Sequence, residues 1–115
     1  MVVTARRQSK LDALVAEIEQ GGGHAVAVAG DINDEQLARA LVETAVGRFG
    51  GLDIAFNNAG MTGASAPVAD ISAQAWNAVL GTNLSSAFLG AKYQLPAMVQ
   101  RGGVKKALRY RPIVE

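Results

Sequence analysis

Residues 25–29 read Ala-Val-Ala-Val-Ala, apolar at every position and preceded by a triple glycine. A strand wetted on one face alternates apolar and polar residues, so an unbroken apolar run calls for cover on both faces. The requirement is met by a parallel sheet between helix layers, and the flanking sequence supplies the other elements. Val2, Val3, Thr4 and Ala5 form a short, partly β-branched run that reads as a strand. Leu11, Leu14, Val15 and Ile18 then recur at helical spacing, with Ser9 and Asp12 placed as a capping box and Gly21-Gly22-Gly23 as the stop. Asn33 with Gln36 reads as a second capping box. It precedes a stripe of Leu37, Leu41, Ala45 and Phe49, flanked by Val42 and Val46 and ended by Gly50-Gly51. Residues 52–56 read as a third strand, and 57–71 as a loop. Ser72 caps a short helix containing Trp76, and a longer helix is expected over 82–100 with a kink at Pro96. The order β-α-β-α-β followed by helices predicts an α/β fold with parallel strands and right-handed crossovers.

Composition narrows the function. Over 115 residues the net charge is +1, which gives no electrostatic case for nucleic acid or an anionic membrane. There is no cysteine, and the single histidine, His24, has no partner at metal-ligand spacing, so no metal site is expected and His24 is assigned to the surface. No apolar run reaches the roughly 20 residues needed to cross a bilayer. The first residues do not have the layout of a signal peptide, which leaves a cytoplasmic location as the default.

The strand of residues 52–56 runs directly into Asn57-Asn58-Ala59-Gly60. At the carboxyl edge of a parallel sheet, small residues let the backbone approach a ligand, and asparagines tie neighbouring strands together through two-way amide hydrogen bonds. Read alone, the same tetrapeptide is an ordinary turn. With Trp76, Thr82-Asn83-Leu84, Phe88, Pro96 and Met98 downstream, however, the segment resembles the middle of classical short-chain dehydrogenases/reductases, from about residue 2 to 102.

The resemblance implies a partial Rossmann-like, doubly wound parallel sheet. Its three strands would be equivalent to the family's second, third and fourth, and the central first strand would be missing. Residues 1–103 are then an incomplete dinucleotide-binding domain and 104–115 an unrelated basic tail. The expectation is of a chain truncated at both ends relative to the family, its catalytic half replaced after Gly103. The implied reaction is hydride transfer between a nicotinamide and a small-molecule alcohol/carbonyl pair. Asp31 and Ile32 correspond to the position beside the adenine ring, although Asp31 next to Asn33 also suits a helix entry. Asn58, Ala59 and Gly60 complete the cofactor edge. Where an NAD site carries an acid this chain has Ala5, followed by Arg6 and Arg7. Guanidinium pairs well with phosphate, so NADP is favoured over NAD and Arg6 is the residue expected to read it; the alternative is two solvated arginines leading into a helix.

Of the family's catalytic tetrad only the asparagine has a match, Asn83. The glycine-rich pyrophosphate turn, the serine and Tyr-x-x-x-Lys are absent: Tyr93 is followed four residues on by Ala97, and Tyr110 by Val114. Lys92 lies beside Tyr93, but neighbours on a helix diverge by about 100°. The expectation is no turnover by this chain alone. A second reading is a non-catalytic module that forms homo-oligomers through the helix over 82–100, where Ala87, Gly90, Ala91 and Leu95 offer a close-packing surface. A third, a flavodoxin-like regulator, would need an acidic cluster around Asp31 that is not there.

Overall fold

The computed structural model describes residues 1–102. The elements run β1 (Val2–Ala5), α1 (Gln8–Gln20), β2 (Val26–Ala29) and α2 (Glu35–Phe49). A single 3-10 turn (Val68–Asp70), α3 (Ala73–Leu80), a π-helical turn (Gly81–Ser85) and α4 (Ser86–Gln100) follow. β1 and β2 are parallel and in register, Val2 opposite Val26 through Ala5 opposite Ala29. The α1 crossover packs against both strands, while α2 lies against β1 and α4. The core is thin and built of small residues: Leu11, Ala25, Leu37, Ala38, Ala45, Ala55, Ala97 and Met98 are buried.

The strand expected at 52–56 does not form. Among the described residues the sheet has two strands, and residues 52–56 join no ladder. The apolar pattern is a side-chain property, whereas a strand also needs a neighbouring backbone, and no such neighbour stands beside this segment among the described residues. The segment is instead fastened to α4 by side chains. Arg101 donates from its Nη1 to the Gly50 carbonyl at 3.0 Å and meets Asp53 at 3.3 Å. Asn57 and Gln94 exchange two amide hydrogen bonds, each 2.9 Å. Asn83 grips the backbone of Met61. The pairing runs backwards from Arg101 through Gln94 to Asn83 as it runs forwards along 50–61. Gly50 ends α2 in the left-handed region at φ 78°, the conformation glycine reaches without strain.

The expected full cover of β2 is also only half met. Val26, Ala27 and Val28 are half-buried and Ala29 is exposed, because α1 covers both strands whereas α2 reaches β1, and the outer edges carry no strand among the described residues. Two caps differ as well. α1 begins before Ser9, at Gln8, with Arg7 as its uncapped entry, and the Asp12 carboxylate receives the Gln8 amide at 2.7 Å. α2 is capped by Asp34, whose carboxylate accepts from the Gln36 amide at 2.8 Å. Asn33 is thereby released to bond Asp31 and Thr82. Ser72 does cap α3, accepting from the Ala75 amide at 3.1 Å. The long helix expected over 82–100 is regular α-helix only from Ser86, with Pro96 inside it. The basic tail and Tyr110 lie outside the described residues.

Candidate functional site

A cleft of about 300 Å3 opens at the carboxyl end of β1 and β2. One wall is Thr4, Ala5 and Arg6, leaving β1; another is Gly30 to Asn33, leaving β2; the far side is Ala59, Gly60, Met61 and Thr82. This placement follows from strand direction. In a parallel sheet every strand ends on the same edge, so the loops that follow converge there. Five of the residues singled out in the sequence, Arg6, Asp31, Ile32, Ala59 and Gly60, share this cleft. Asn58 is exposed and does not line it.

The polar groups of the cleft divide into those that build it and those that face into it. The Asp31 carboxylate places one oxygen on the Asn33 backbone N–H at 3.0 Å and the Asn33 side-chain amide at 2.9 Å. This fixes the loop that opens α2, so Asp31 serves the helix entry while its second oxygen stays uncommitted among the described residues. Asn33 continues the chain of contacts to the Thr82 hydroxyl at 3.4 Å, tying two walls together. Arg6 is exposed and forms no ion pair among the described residues. Arg7 does not line the cleft; its carbonyl accepts from Lys10 and Leu11 in the first turn of α1.

Asn83 sits one step behind the surface. Its Oδ1 accepts from the Met61 N–H and its Nδ2 donates to the Met61 carbonyl, both at 2.8 Å. Both ends of the amide are thus spent on positioning the cleft floor. Around it the helix widens into the π turn at Gly81–Ser85, and Ser86 bonds back to the Thr82 carbonyl. Single π turns inside helices frequently mark functional positions. Nothing in the local periodicity announces this one, and the polar Thr82-Asn83 pair is its only trace in the sequence.

Tyr93 is elsewhere. Its hydroxyl donates to Glu35 Oε1 at 2.7 Å, and the Lys92 ammonium bonds the same oxygen at 2.5 Å. Adjacent helical residues therefore do converge, contrary to the expectation from their 100° divergence, because the carboxylate lies between them at the start of α2. The consequence for acidity is opposite to that of an activated tyrosine: the bond to Glu35 pushes the Tyr93 hydroxyl above its ordinary pKa. His24 is exposed at the surface, its carbonyl accepting from the N-terminal ammonium at 2.7 Å. Among the described residues there is no cluster of metal-ligating side chains and no helix long and apolar enough to cross a membrane.

Parallel strands joined by helical crossovers, with a cleft at their carboxyl ends, define the Rossmann class of α/β proteins. The family model for short chain dehydrogenases matches residues 1–105, and the chain belongs to that family. Glucose 1-dehydrogenase 2 of Bacillus subtilis is 38% identical over 92 residues, covering 80% of this chain and 36% of that protein. Cyclohexanol dehydrogenase of an Acinetobacter species is 37% identical over 90 residues, covering 78% and 36% respectively. Among solved structures, a 3-ketoacyl-ACP reductase from Sinorhizobium meliloti superposes with a TM-score of 0.84 at 34% identity, covering 89% of this chain and 40% of that one. A short-chain type dehydrogenase/reductase from Mycobacterium marinum gives 0.80 at 30% identity, covering 88% and 40%. The chain thus spans little more than a third of the length of the curated relatives it matches. Members of this family use nicotinamide cofactors.

Proposed function

We infer that the cleft holds the adenosine end of a nicotinamide dinucleotide, in the 2′-phosphorylated form, and that the chain is the cofactor-binding portion of a short-chain oxidoreductase acting on an alcohol/carbonyl pair. The observation that carries this reading is the exposed Arg6 guanidinium on the same cleft as Asp31, Ile32, Ala59 and Gly60. Its volume is at the lower end of the range of about 300–1,000 Å3 for small-molecule sites, the size for one end of a dinucleotide. The residues suit that end. Ile32 offers an apolar surface for a base, the second Asp31 oxygen can accept from an exocyclic amine, and Ala59 and Gly60 leave the backbone approachable. Arg6 can form parallel charged hydrogen bonds to a phosphate, which a ribose hydroxyl could not reciprocate.

A bound nicotinamide would supply the hydride. The residues of this chain bind and orient, and none among those described is set to move the substrate proton. Tyr93 is bonded to Glu35 and made less acidic, and Asn83 is committed to Met61. General acid–base work needs a donor within reach of the reacting oxygen. The reading therefore includes no turnover by the isolated chain.

The test compares adenosine 2′,5′-bisphosphate with AMP as probes of the 115-residue chain by calorimetry. The bisphosphate is expected to bind more tightly, and Arg6→Ala to remove on the order of tenfold or more of that preference. Arg7→Ala should leave it unchanged. Equal binding of both probes, or equal losses in the two variants, would overturn the assignment of Arg6.

A further inference from the structure

We propose that Glu35 is a positioning residue of the cleft: by tying the first turn of α2 to α4, it holds the Asp31–Asn33 wall in place opposite Thr82. This role rests on the reading of the cleft as an adenosine site. The first observation is that the loop after β2 and the first turn of α2 are knitted into one piece. The Asp31 carbonyl accepts from the Asp34 N–H at 2.9 Å, and the Asp31 carboxylate accepts from the Asn33 N–H at 3.0 Å. Asp34 in turn caps Gln36 with its carboxylate and accepts the Ala38 N–H on its carbonyl at 3.2 Å. Beneath the loop lies the buried Leu37, so close that a β-carbon on Gly30 would be 2.9 Å from its Cδ1. A shift of the helix start therefore carries the wall with it.

The second observation is that the facing side of the cleft belongs to the start of α4. Thr82 lies in the π turn that runs into this helix, and its carbonyl accepts from the Ser86 hydroxyl. Met61, on the same side of the cleft, is fixed to the same turn by Asn83. The separation of the two walls is thus the separation of two knitted pieces, one opening α2 and the other opening α4.

The third observation is what joins these pieces. At the cleft end, among the described residues, Asn33 donates to Thr82, and Lys92 and Tyr93 both donate to Glu35. The Asn33 bond is long at 3.4 Å and joins two uncharged groups. Asn33 has no room to come closer, since a β-carbon on Gly81 would already lie 2.9 Å from its Oδ1. The bonds to Glu35 are shorter, 2.5 and 2.7 Å, and end on a carboxylate, which makes them the stronger ties. Glu35 does not itself line the cleft, so it acts through the loop that precedes it. Arg6 leaves β1 on a different wall, and no described bond links it to Glu35. The tie therefore bears on the adenosine end as a whole and leaves the reading of a 2′-phosphate to Arg6.

The test measures AMP and adenosine 2′,5′-bisphosphate binding to the full chain by calorimetry, with amide hydrogen exchange beside it. In Glu35→Ala the affinity for both probes should fall by the same factor, on the order of fivefold, the scale of an exposed charged tie. The preference between the probes should stay as in the parent. Exchange at the Asn33 and Asp34 amides should quicken, while Val26 and Gly30, bonded to β1, keep the parent's rates. A general loss of stability would instead quicken Val26 and Gly30 as well. Glu35→Lys should bind at least as weakly as Glu35→Ala, and adding Lys92→Glu should restore most of the affinity by rebuilding the pair with its charges exchanged. Binding by the parent with no loss in Glu35→Ala, exchange that quickens equally throughout the chain, or no recovery in the exchanged pair would overturn the role of Glu35 alone. No binding of either probe by the parent would overturn the adenosine reading, and this role with it.

Discussion

At the residue scale the most informative contact is the reciprocal amide pair of Asn57 and Gln94. Both groups are partly buried, and each satisfies the other with two hydrogen bonds of 2.9 Å. Removing one partner strands the other, which costs about 1–3 kcal/mol for a buried polar group, whereas removing both leaves none stranded. Asn57→Leu or Gln94→Leu is therefore expected to lower unfolding stability by about that amount in urea titrations. The double variant should cost clearly less than the sum of the two. Gly90 belongs to the same site. A β-carbon there would lie 2.9 Å from Asn57 Oδ1 and 3.2 Å from Gln94 Nε2. Gly90→Ala should destabilise the native chain despite the helix preference of alanine, worth about 1 kcal/mol. In an Asn57→Ala background, where the obstructing oxygen is gone, the same change should stabilise, and the pair of melting curves decides it. The motif residues were legible one by one in the sequence, but not their partners. Asn57 was read as a tie between strands, and it ties instead to a helix residue 37 positions away.

Among the elements, α2 and α4 are joined at one polar point and along an apolar seam. Glu35, in the first turn of α2, accepts from both Lys92 and Tyr93. These bonds, Lys92 first and Tyr93 second, hold the Glu35 carboxyl below its ordinary pKa, so its contribution exists above that value and is lost as pH falls through the lowered one. Lys92 and Tyr93 are both raised, chiefly by their bonds to Glu35, so their part is intact at neutral pH and lost as pH climbs through their raised values. Comparing Glu35→Gln with the parent, the difference in melting temperature should be largest near neutrality and shrink toward both extremes. Because all three groups face solvent, added salt should also reduce it. A difference that grows on acidification would contradict the pairing. Helix positions were readable because the 3.6-residue pattern and the glycine stops are local properties. Their ends were read less well: Asp34 caps α2 and Gln8 opens α1, since several neighbouring polar residues could fill each cap and only the packing of the helix chooses. The π turn at Gly81–Ser85 has no signature in apolar spacing.

For the whole molecule, the sheet is where local pattern and global structure part. Val2–Ala5 and Val26–Ala29 find each other across one crossover and pair. Residues 52–56 are also largely apolar but have no strand neighbour among the described residues, and side chains of Arg101 and Gln94 tie the surrounding chain to α4 in place of a ladder. The cleft, by contrast, was largely legible, because parallel strand direction alone brings the residues after β1, after β2 and after 52–56 to one edge. Arg6 was the arginine expected there, and the fold sets it on the cleft while Arg7 becomes the entry of α1.

The direct test of the cleft as a dinucleotide site is a titration of the 115-residue chain with NADPH and, separately, NADH, followed by energy transfer from Trp76, the only tryptophan. The cofactor would then be left with a panel of ketones, and its absorbance watched for oxidation. Saturable binding is expected, tighter for NADPH than for NADH on the order of tenfold, with no oxidation above the protein-free rate. No saturation with either cofactor, or an equal response to both, would contradict the assigned site; NADPH oxidation by the pure chain would contradict the assignment of its residues to binding alone.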